Sequence, residues 1–541
     1  MTYQRTHPYL ALDSASFILP DGRTLLSELT EQFDLRHTGL VGRNGVGKSV
    51  LARLLSGELA PSTGRINRTG RVHYLSQQVD QATDRSVAGL AGVQAVFDAL
   101  ARIDCGSIEP ADFECVGERW DLPARFRHAL DGAGFAHLDA ATPASQLSGG
   151  EAMRVALLGA MLSEADFLIL DEPTNHLDGA SRAALAAQLR AWKRGLIVVS
   201  HDRALLGQME RIVELSPQGL RSYGGNYDFH TQARAAEQES ALREFDHARQ
   251  DMLREERAMR EQRERQQRRQ AQGAREGKAA NQAKILLGRQ KERSENSAGR
   301  LRQQHEEARR QQLERVREAA QGLREEEGVR LHATKVEAAA QRRVVELDEV
   351  ELPFAAPALR RISLVVGGRQ RIGITGPNGS GKSTLLKLIA GEVAPLAGRV
   401  ARTEACAWLD QRLGTLDPAR STIAQLLELN RSTGQDRLRT YLAQVGLDAH
   451  KVAQPTGQLS GGERLKAALA CALYADPPAR LLLLDEPGNH LDLASLAALE
   501  TMLNGYAGAL IVVSHDEVFL ERIGLTHRLE ATPTGWRQRL L

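Results

Sequence analysis

The chain has 541 residues, 42% hydrophobic and 26% charged, with a formal net charge of +2. That length allows two or three domains with substantial cores, and the composition is ordinary for a globular protein. No apolar run approaches the ~18 residues of a membrane-spanning helix, Met1-Thr2-Tyr3-Gln4-Arg5 leads into no apolar leader, and Cys105, Cys115, Cys406 and Cys471 lack metal-ligand spacing, so a cytoplasmic chain with reduced thiols and no membrane insertion is expected.

The first element with chemistry is Gly42-Arg43-Asn44-Gly45-Val46-Gly47-Lys48-Ser49. Its glycines (Gly42, Gly45, Gly47) allow tight turns that aim backbone N–H groups at phosphate oxygens. The helix that follows presents its positive end to the same oxygens. Lys48 is expected to reach the β- and γ-phosphates and Ser49 to bind Mg²⁺. Gln77 comes 29 residues after Lys48, and about 22 extra residues relative to the second half lie between roughly 80 and 140. Leu147-Ser148-Gly149-Gly150-Glu151 follows, then an apolar strand ending in Asp171-Glu172. A carboxylate at a strand end suits hydrated Mg²⁺ (Asp171), and its neighbour (Glu172) can orient and polarise the attacking water. Next are Asn175-His176-Leu177-Asp178 and the strand Leu196-Ile197-Val198-Val199-Ser200, which leads to His201.

Residues 231–343 differ in character, with 27 Lys and Arg against 20 Asp and Glu. From Thr231 to about Gln270 there is no proline or glycine, which favours helix. Phe245, Met252 and Met259 recur every seven residues, one apolar stripe that asks for a partner helix. Gly273, Gly277, Asn281 and Gly288 predict a turn, and a second helix is expected from about Arg300 to Ala340. The expected shape is a long α-helical, antiparallel coiled-coil linker with a basic tip near 273–298; between Arg257 and Arg293 there are 12 basic and 4 acidic residues. A solvated spacer is the plainer reading of such a charge run. The stripe and the localised charge favour the arm.

From about 344 to 541 the first set returns in the same order. The loop Gly376-Pro377-Asn378-Gly379-Ser380-Gly381-Lys382-Ser383-Thr384 precedes Gln411, again 29 residues after its lysine. Leu459-Ser460-Gly461-Gly462-Glu463, Asp485-Glu486, Asn489-His490-Leu491-Asp492 and His515 follow. Asp485 to His515 is 30 residues, as is Asp171 to His201. A period this long, present twice, means two homologous domains. The fold class expected is α/β: P-loop NTPase domains at 1–230 and 344–541, joined by the linker.

This ordered set resembles ATP-binding-cassette ATPases over both domains, and the Ser-Gly-Gly element is specific to that superfamily. The resemblance implies two cassettes packed head to tail, each ATP lying between one phosphate loop and the other cassette's signature. Site one would join Lys48, Ser49, Gln77, Asp171, Glu172 and His201 to Ser460, Gly461 and Gly462. Site two would join Lys382, Ser383, Gln411, Asp485, Glu486 and His515 to Ser148, Gly149 and Gly150. Gln77 and Gln411 would complete the Mg²⁺ ligands, His201 and His515 would contact the γ-phosphate, and Asp178 and Asp492 would lie at the interface. Closure would then depend on ATP and reopening on hydrolysis.

Two whole cassettes, a charged linker and Tyr223-Gly224-Gly225-Asn226-Tyr227-Asp228-Phe229 before it resemble the ABC-F class. That class implies a monomer with two intramolecular ATP sites, a ribosomal partner, and a linker tip that meets rRNA and tRNA backbones. Lys and Arg suit backbone phosphates without reading sequence. The chain departs from the pattern in places. Val50 stands where Thr384 offers a hydroxyl, and Gly488 replaces the counterpart of Thr174. Leu19 stands at the adenine-stacking position of the first cassette, with Phe17, Tyr9 and Phe354 as approximate substitutes. No module is expected beyond the second cassette. Two other readings stay open: the ATPase subunit of a transporter with separate membrane chains, and a DNA-repair or chromosome ATPase. Against these stand the basic helical arm and the wholeness of both cassettes.

Overall fold

The computed structural model describes residues 8–77, 85–175, 177–279, 306–307, 309–320, 343–410, 413–489 and 491–541. The chain divides into two compact units, Met1–Phe229 with Gly328–Leu541, and His230–Glu327.

In the first half, β1 (Tyr9–Ile18), β2 (Thr24–Phe33), β3 (His37–Gly42), α1 (Lys48–Ser56), β4 (Thr63–Thr69) and β5 (Val72–Leu75) come first. Four helices follow: α2 (Val87–Leu90), α3 (Gln94–Asp104), α4 (Pro110–Val116) and α5 (Leu122–Gly132). Then come α6 (Gly149–Leu162), β6 (Phe167–Asp171), α7 (Gly179–Ala191), β7 (Gly195–Val199), α8 (Arg203–Leu206), β8 (Arg211–Ser216) and β9 (Gly219–Tyr223). A six-stranded sheet has the order β5-β6-β7-β3-β8-β9, parallel except for the last pair, beside an antiparallel sheet β2-β1-β4. Every residue of β6 and β7 is buried, as expected for parallel strands covered on both faces.

That order positions the chemistry. β7 lies between β3 and β6, with Leu40 and Asp171 both level with Val199. The phosphate loop, Asp171-Glu172 and His201 therefore leave the carboxyl ends of three adjacent strands. The extra residues of this half belong to a helical layer over α6, whose core includes Phe126, Leu130 and Val155.

α9 (Tyr227–Ala279) is one helix of 53 residues, about 80 Å long at 1.5 Å per residue. It passes through Gly273 and Gly277, where the sequence predicted a turn. A helical glycine costs about 1 kcal/mol, and the surrounding alanines, arginines and glutamates favour helix enough to offset it. Phe245, Met252 and Met259 are half-buried among exposed neighbours. Residues 309–320 are helical (α10). The rest of the expected second helix and residues 280–298 of the basic tip lie outside the described residues.

The second half repeats the first: β10 (Arg343–Glu351), β11 (Arg361–Gly367), β12 (Arg371–Thr375), α11 (Lys382–Ala390), β13 (Ala397–Arg402) and β14 (Cys406–Leu409). Its helical layer is shorter, with α12 (Thr422–Leu429), α13 (Gln435–Gln444) and α14 (Ala449–Ala453). It closes with α15 (Gly461–Leu473), β15 (Leu481–Asp485), α16 (Leu493–Gly505), β16 (Ala509–Val513), α17 (Glu517–Arg522), β17 (His527–Thr532) and β18 (Gly535–Leu540). Its sheets, β14-β15-β16-β12-β17-β18 and β11-β10-β13, have the same order as those of the first half.

Candidate active site

Each phosphate loop wraps a lysine. Lys48 Nζ donates to the carbonyls of Gly42 (2.8 Å) and Arg43 (3.1 Å), and Lys382 Nζ to those of Gly376 (2.9 Å) and Pro377 (2.7 Å). These lysines are buried, and burial pushes both below the usual lysine range despite the nearby carboxylates of Glu172 and Glu486. Gly42 has φ 152° and a side chain there would strike the Leu215 carbonyl at 2.4 Å, so only glycine fits.

The strand-end carboxylates are arranged alike. Asp171 is buried; Ser49 and Tyr74 donate to it, Tyr74 at 3.3 Å, and its Oδ1 has no partner. Ser383 donates to Asp485 in the second half. Glu172 and Glu486 have φ 49° and 47°, left-handed values that cost a non-glycine residue energy and are typical of functional positions. Burial pushes the Glu172 carboxyl up to about 8 and that of Glu486 up to about 7. Beside them, burial drives the imidazoles of His201 down to about 3 and His515 down to about 4, so both are neutral at pH 7. His201 Nε2 is 3.5 Å from Glu172 Oε1, and His515 Nε2 is 3.4 Å from Glu486 Oε1.

The two halves meet at these loops. Asp492, the N-cap of α16, accepts from the backbone N–H of Asn44 at 3.0 Å. Asp178, the N-cap of α7, accepts from that of Asn378 at 3.4 Å. Each cap carboxylate thus divides itself between its own helix and the other half's phosphate loop. A cavity of about 440 Å³ is bounded by Lys48, Ser49, Glu172 and His201 from one half and Glu486 and Asn489 from the other.

The structure brings some expected partners together and not others. Gln77 borders the cavity. Ser148 and Ser460 do not; each caps its own helix in a box with Glu151 or Glu463. Gln411, His176 and His490 lie outside the described residues. Thr174 borders the cavity, as do two residues that the motifs do not include, Leu25 and Arg182. Leu25 packs within 3.2 Å of where a side chain at Gly47 would sit, a tertiary contact with no local signal. Phe354 has φ 61° and is 94% exposed, next to Ala355, which packs against Gly381. Phe354 is therefore the aromatic with a free face nearest the second loop in sequence.

An ATP·Mg²⁺ complex fits these residues. The orphaned Asp171 oxygen, the loop serines and the inward lysines supply acceptors and donors of the right kind. Among the described residues no cluster of three or more His, Cys, Asp or Glu could hold a metal alone.

A family model described as "ABC transporter" matches residues 34–175 and 359–489. The tylosin resistance ATP-binding protein TlrC of Streptomyces fradiae is 31% identical over 537 residues, 94% of each chain. The chain belongs to the ABC-F class of ATP-binding-cassette ATPases. Another relative of this ABC-F chain is the energy-dependent translational throttle protein EttA of Mycobacterium tuberculosis, 31% identical over 90% of this chain and 84% of that one. In fold it is similar to the archaeal ribosome recycling factor aABCE1, solved with the stalk protein aP1: TM-score 0.59, 19% identical, covering 97% and 89% of the two chains. The ABC-F chain is an ATPase, and among its described residues no helix is long and apolar enough to cross a membrane.

Proposed function

We propose that this ATPase binds two ATP molecules between its cassettes and acts on the ribosome in the cytoplasm, as a translation factor or in protection from an antibiotic. The observation that carries the two-site reading is the reciprocal contact of Asp492 with Asn44 and Asp178 with Asn378. A cassette pair on one chain that already exchanges these contacts needs no second copy. The ribosomal reading is supported by one relative, named a translational throttle protein, and by the basic charge of the linker.

At each site the loop amides and Lys48 or Lys382 bind the β- and γ-phosphates, and Ser49, Asp171 and Gln77, or Ser383, Asp485 and Gln411, would hold the metal. Mg²⁺, when bound, neutralises charge on the phosphate oxygens. Glu172 and Glu486 orient the attacking water and accept its proton. Their raised affinity for a proton suits a base working near neutral pH. Neutral His201 and His515 donate one hydrogen bond to the γ-phosphate. Ser460-Gly461-Gly462 and Ser148-Gly149-Gly150 close over the ATP in trans, and loss of the γ-phosphate removes what they grip.

The test is sedimentation of the Glu172→Gln/Glu486→Gln protein with ribosomes, in ATP and in ADP. Comigration in ATP alone supports the reading; no comigration in either nucleotide sinks the ribosomal part and leaves the ATPase. Neutralising Arg275, Lys278, Lys284, Arg289 and Lys291 together should then flatten the dependence of log affinity on log salt by about 3–4 units, if each meets one RNA phosphate. An unchanged slope would remove the tip from the interface.

A further inference from the structure

One pair of buried charges has no part in that chemistry. Arg203, two residues after His201, is 4% exposed, and Glu500, two turns into α16, is 6% exposed. The guanidinium donates to Glu500 Oε1 across the cassette boundary, and Arg522 Nη1 approaches Glu500 Oε2 at 3.5 Å. Arg203 also hydrogen-bonds the phenol of Tyr227, the first residue of α9. The pair therefore joins three elements: α8 just after His201, the helix whose N-cap Asp492 holds the first phosphate loop, and the root of the long helix.

Among the described residues no reciprocal buried pair is found at the other end. The residue two after His515 is Glu517, which pairs with Arg528 of its own cassette. The residue eight after Asp178, matching Glu500, is Ala186. Separating the cassettes at the Arg203 end breaks a buried, charge-assisted hydrogen bond that spans the boundary. Among the described residues the other end holds no such buried pair.

We propose that the Arg203–Glu500 pair is the pivot of the cassette pair, a positioning contact that keeps α16 and Asp492 on the first phosphate loop while the second site opens and closes. This rests on the two-site reading above and adds an order to it: the first site stays assembled and the second admits and releases nucleotide. Tyr227 ties the root of the long helix to the fixed side.

Amide hydrogen exchange on the full chain tests this. In nucleotide-free protein, Asn44 and its loop should exchange about tenfold more slowly than Asn378 and its loop. Glu500→Gln should erase that difference by speeding the first loop alone. Arg203→Met should do the same, and Arg203→Lys, which keeps the charge, should retain most of the protection. The double variant Arg203→Met/Glu500→Gln should be no worse than either single variant, because both break one contact. Equal exchange at the two loops of the parent would overturn the pivot. So would a Glu500→Gln effect spread evenly over both cassettes, the mark of a merely structural pair. Protection gained on adding ATP is read separately: its absence at both loops would refute the two-site reading, while the nucleotide-free asymmetry still decides the pivot.

Discussion

The two cassettes share strand order, loop geometry and strained glutamates, yet their nucleotide ends are not equivalent. The first loop's amide meets Asp492 at 3.0 Å; the second meets Asp178 at 3.4 Å. Thr174 is buried beside the cavity, where its counterpart in the second cassette, Gly488, has no side chain. Arg182, on α7, borders the shared cavity and after burial is the largest influence on Glu486, favouring its charged form; its counterpart by position in the second cassette is Leu496. For Glu172 that influence is its own Lys48. The comparison teaches that motif residues fix what chemistry each end can do, while residues reaching across from the other cassette fix how alike the two ends are.

The largest expected effect tests the part they share. Glu172→Gln with Glu486→Gln should lower ATP turnover by about 10³-fold or more, the scale of a lost general base, with ATP binding retained. Turnover at the parent rate would show that neither glutamate is the base. The single variants then sharpen the comparison: residual turnover should differ between them, because only Glu486 has an arginine facing it from the opposite cassette.

The same carboxylates make a stability prediction. Glu172 is raised from 4.5 to about 8, so the unfolded chain gives up this proton at lower pH than the folded one. Stability is full below the unfolded value and falls as pH rises towards about 8. Between pH 6.5 and 8.5 His201 and His515 stay neutral when folded while their unfolded imidazoles give up the protons they still hold, which offsets about 0.4 kcal/mol for each. The nucleotide-free protein should lose about 2 kcal/mol over this window through Glu172, and less through Glu486, which is raised only to about 7. Urea unfolding at the two pH values checks it. Glu172→Gln should flatten the dependence more than Glu486→Gln; the reverse ranking would break the asymmetry argued from Lys48 and Arg182.

Sequence alone carried much of this site, for a physical reason. A phosphate loop, a strand-end acid and a strand-end histidine are local: glycines at fixed steps and apolar runs of five residues dictate their geometry, and parallel strand order brings them together. Asp178 and Asp492 were placed at the interface by family resemblance, and the amide contacts realise that placement. Arg203 and Glu500 are 297 residues apart and belong to no periodic pattern, so their pairing was invisible. Arg182 reads as an ordinary helix arginine until the other cassette is set beside it. Gly273 and Gly277, read with Asn281 and Gly288 as a turn, lie within α9 because single glycines weaken a helix without ending it; Asn281 and Gly288 lie outside the described residues.

The smallest prediction concerns Val50, where the second cassette has Thr384. Val50 packs against the core of its own cassette and also borders the cavity, so two demands meet at one side chain. Val50→Thr adds a hydroxyl that can donate to a phosphate, worth about 1 kcal/mol, and removes a methyl from a half-buried contact. Because Val50 borders the cavity and is only half-buried, the lost methyl contact is incomplete and the hydrogen bond should win. ATP affinity at the first site, measured in the Glu172→Gln/Glu486→Gln protein, should rise up to about fivefold. Thr384→Val should lower affinity at the second site by a similar factor. If both substitutions were silent, this difference between the loops would carry no energetic weight, and Lys48→Ala and Lys382→Ala should then weaken their sites equally. If the substitutions act as expected, Lys48→Ala should be the more severe, since the first loop has one donor fewer to hold the phosphate without its lysine.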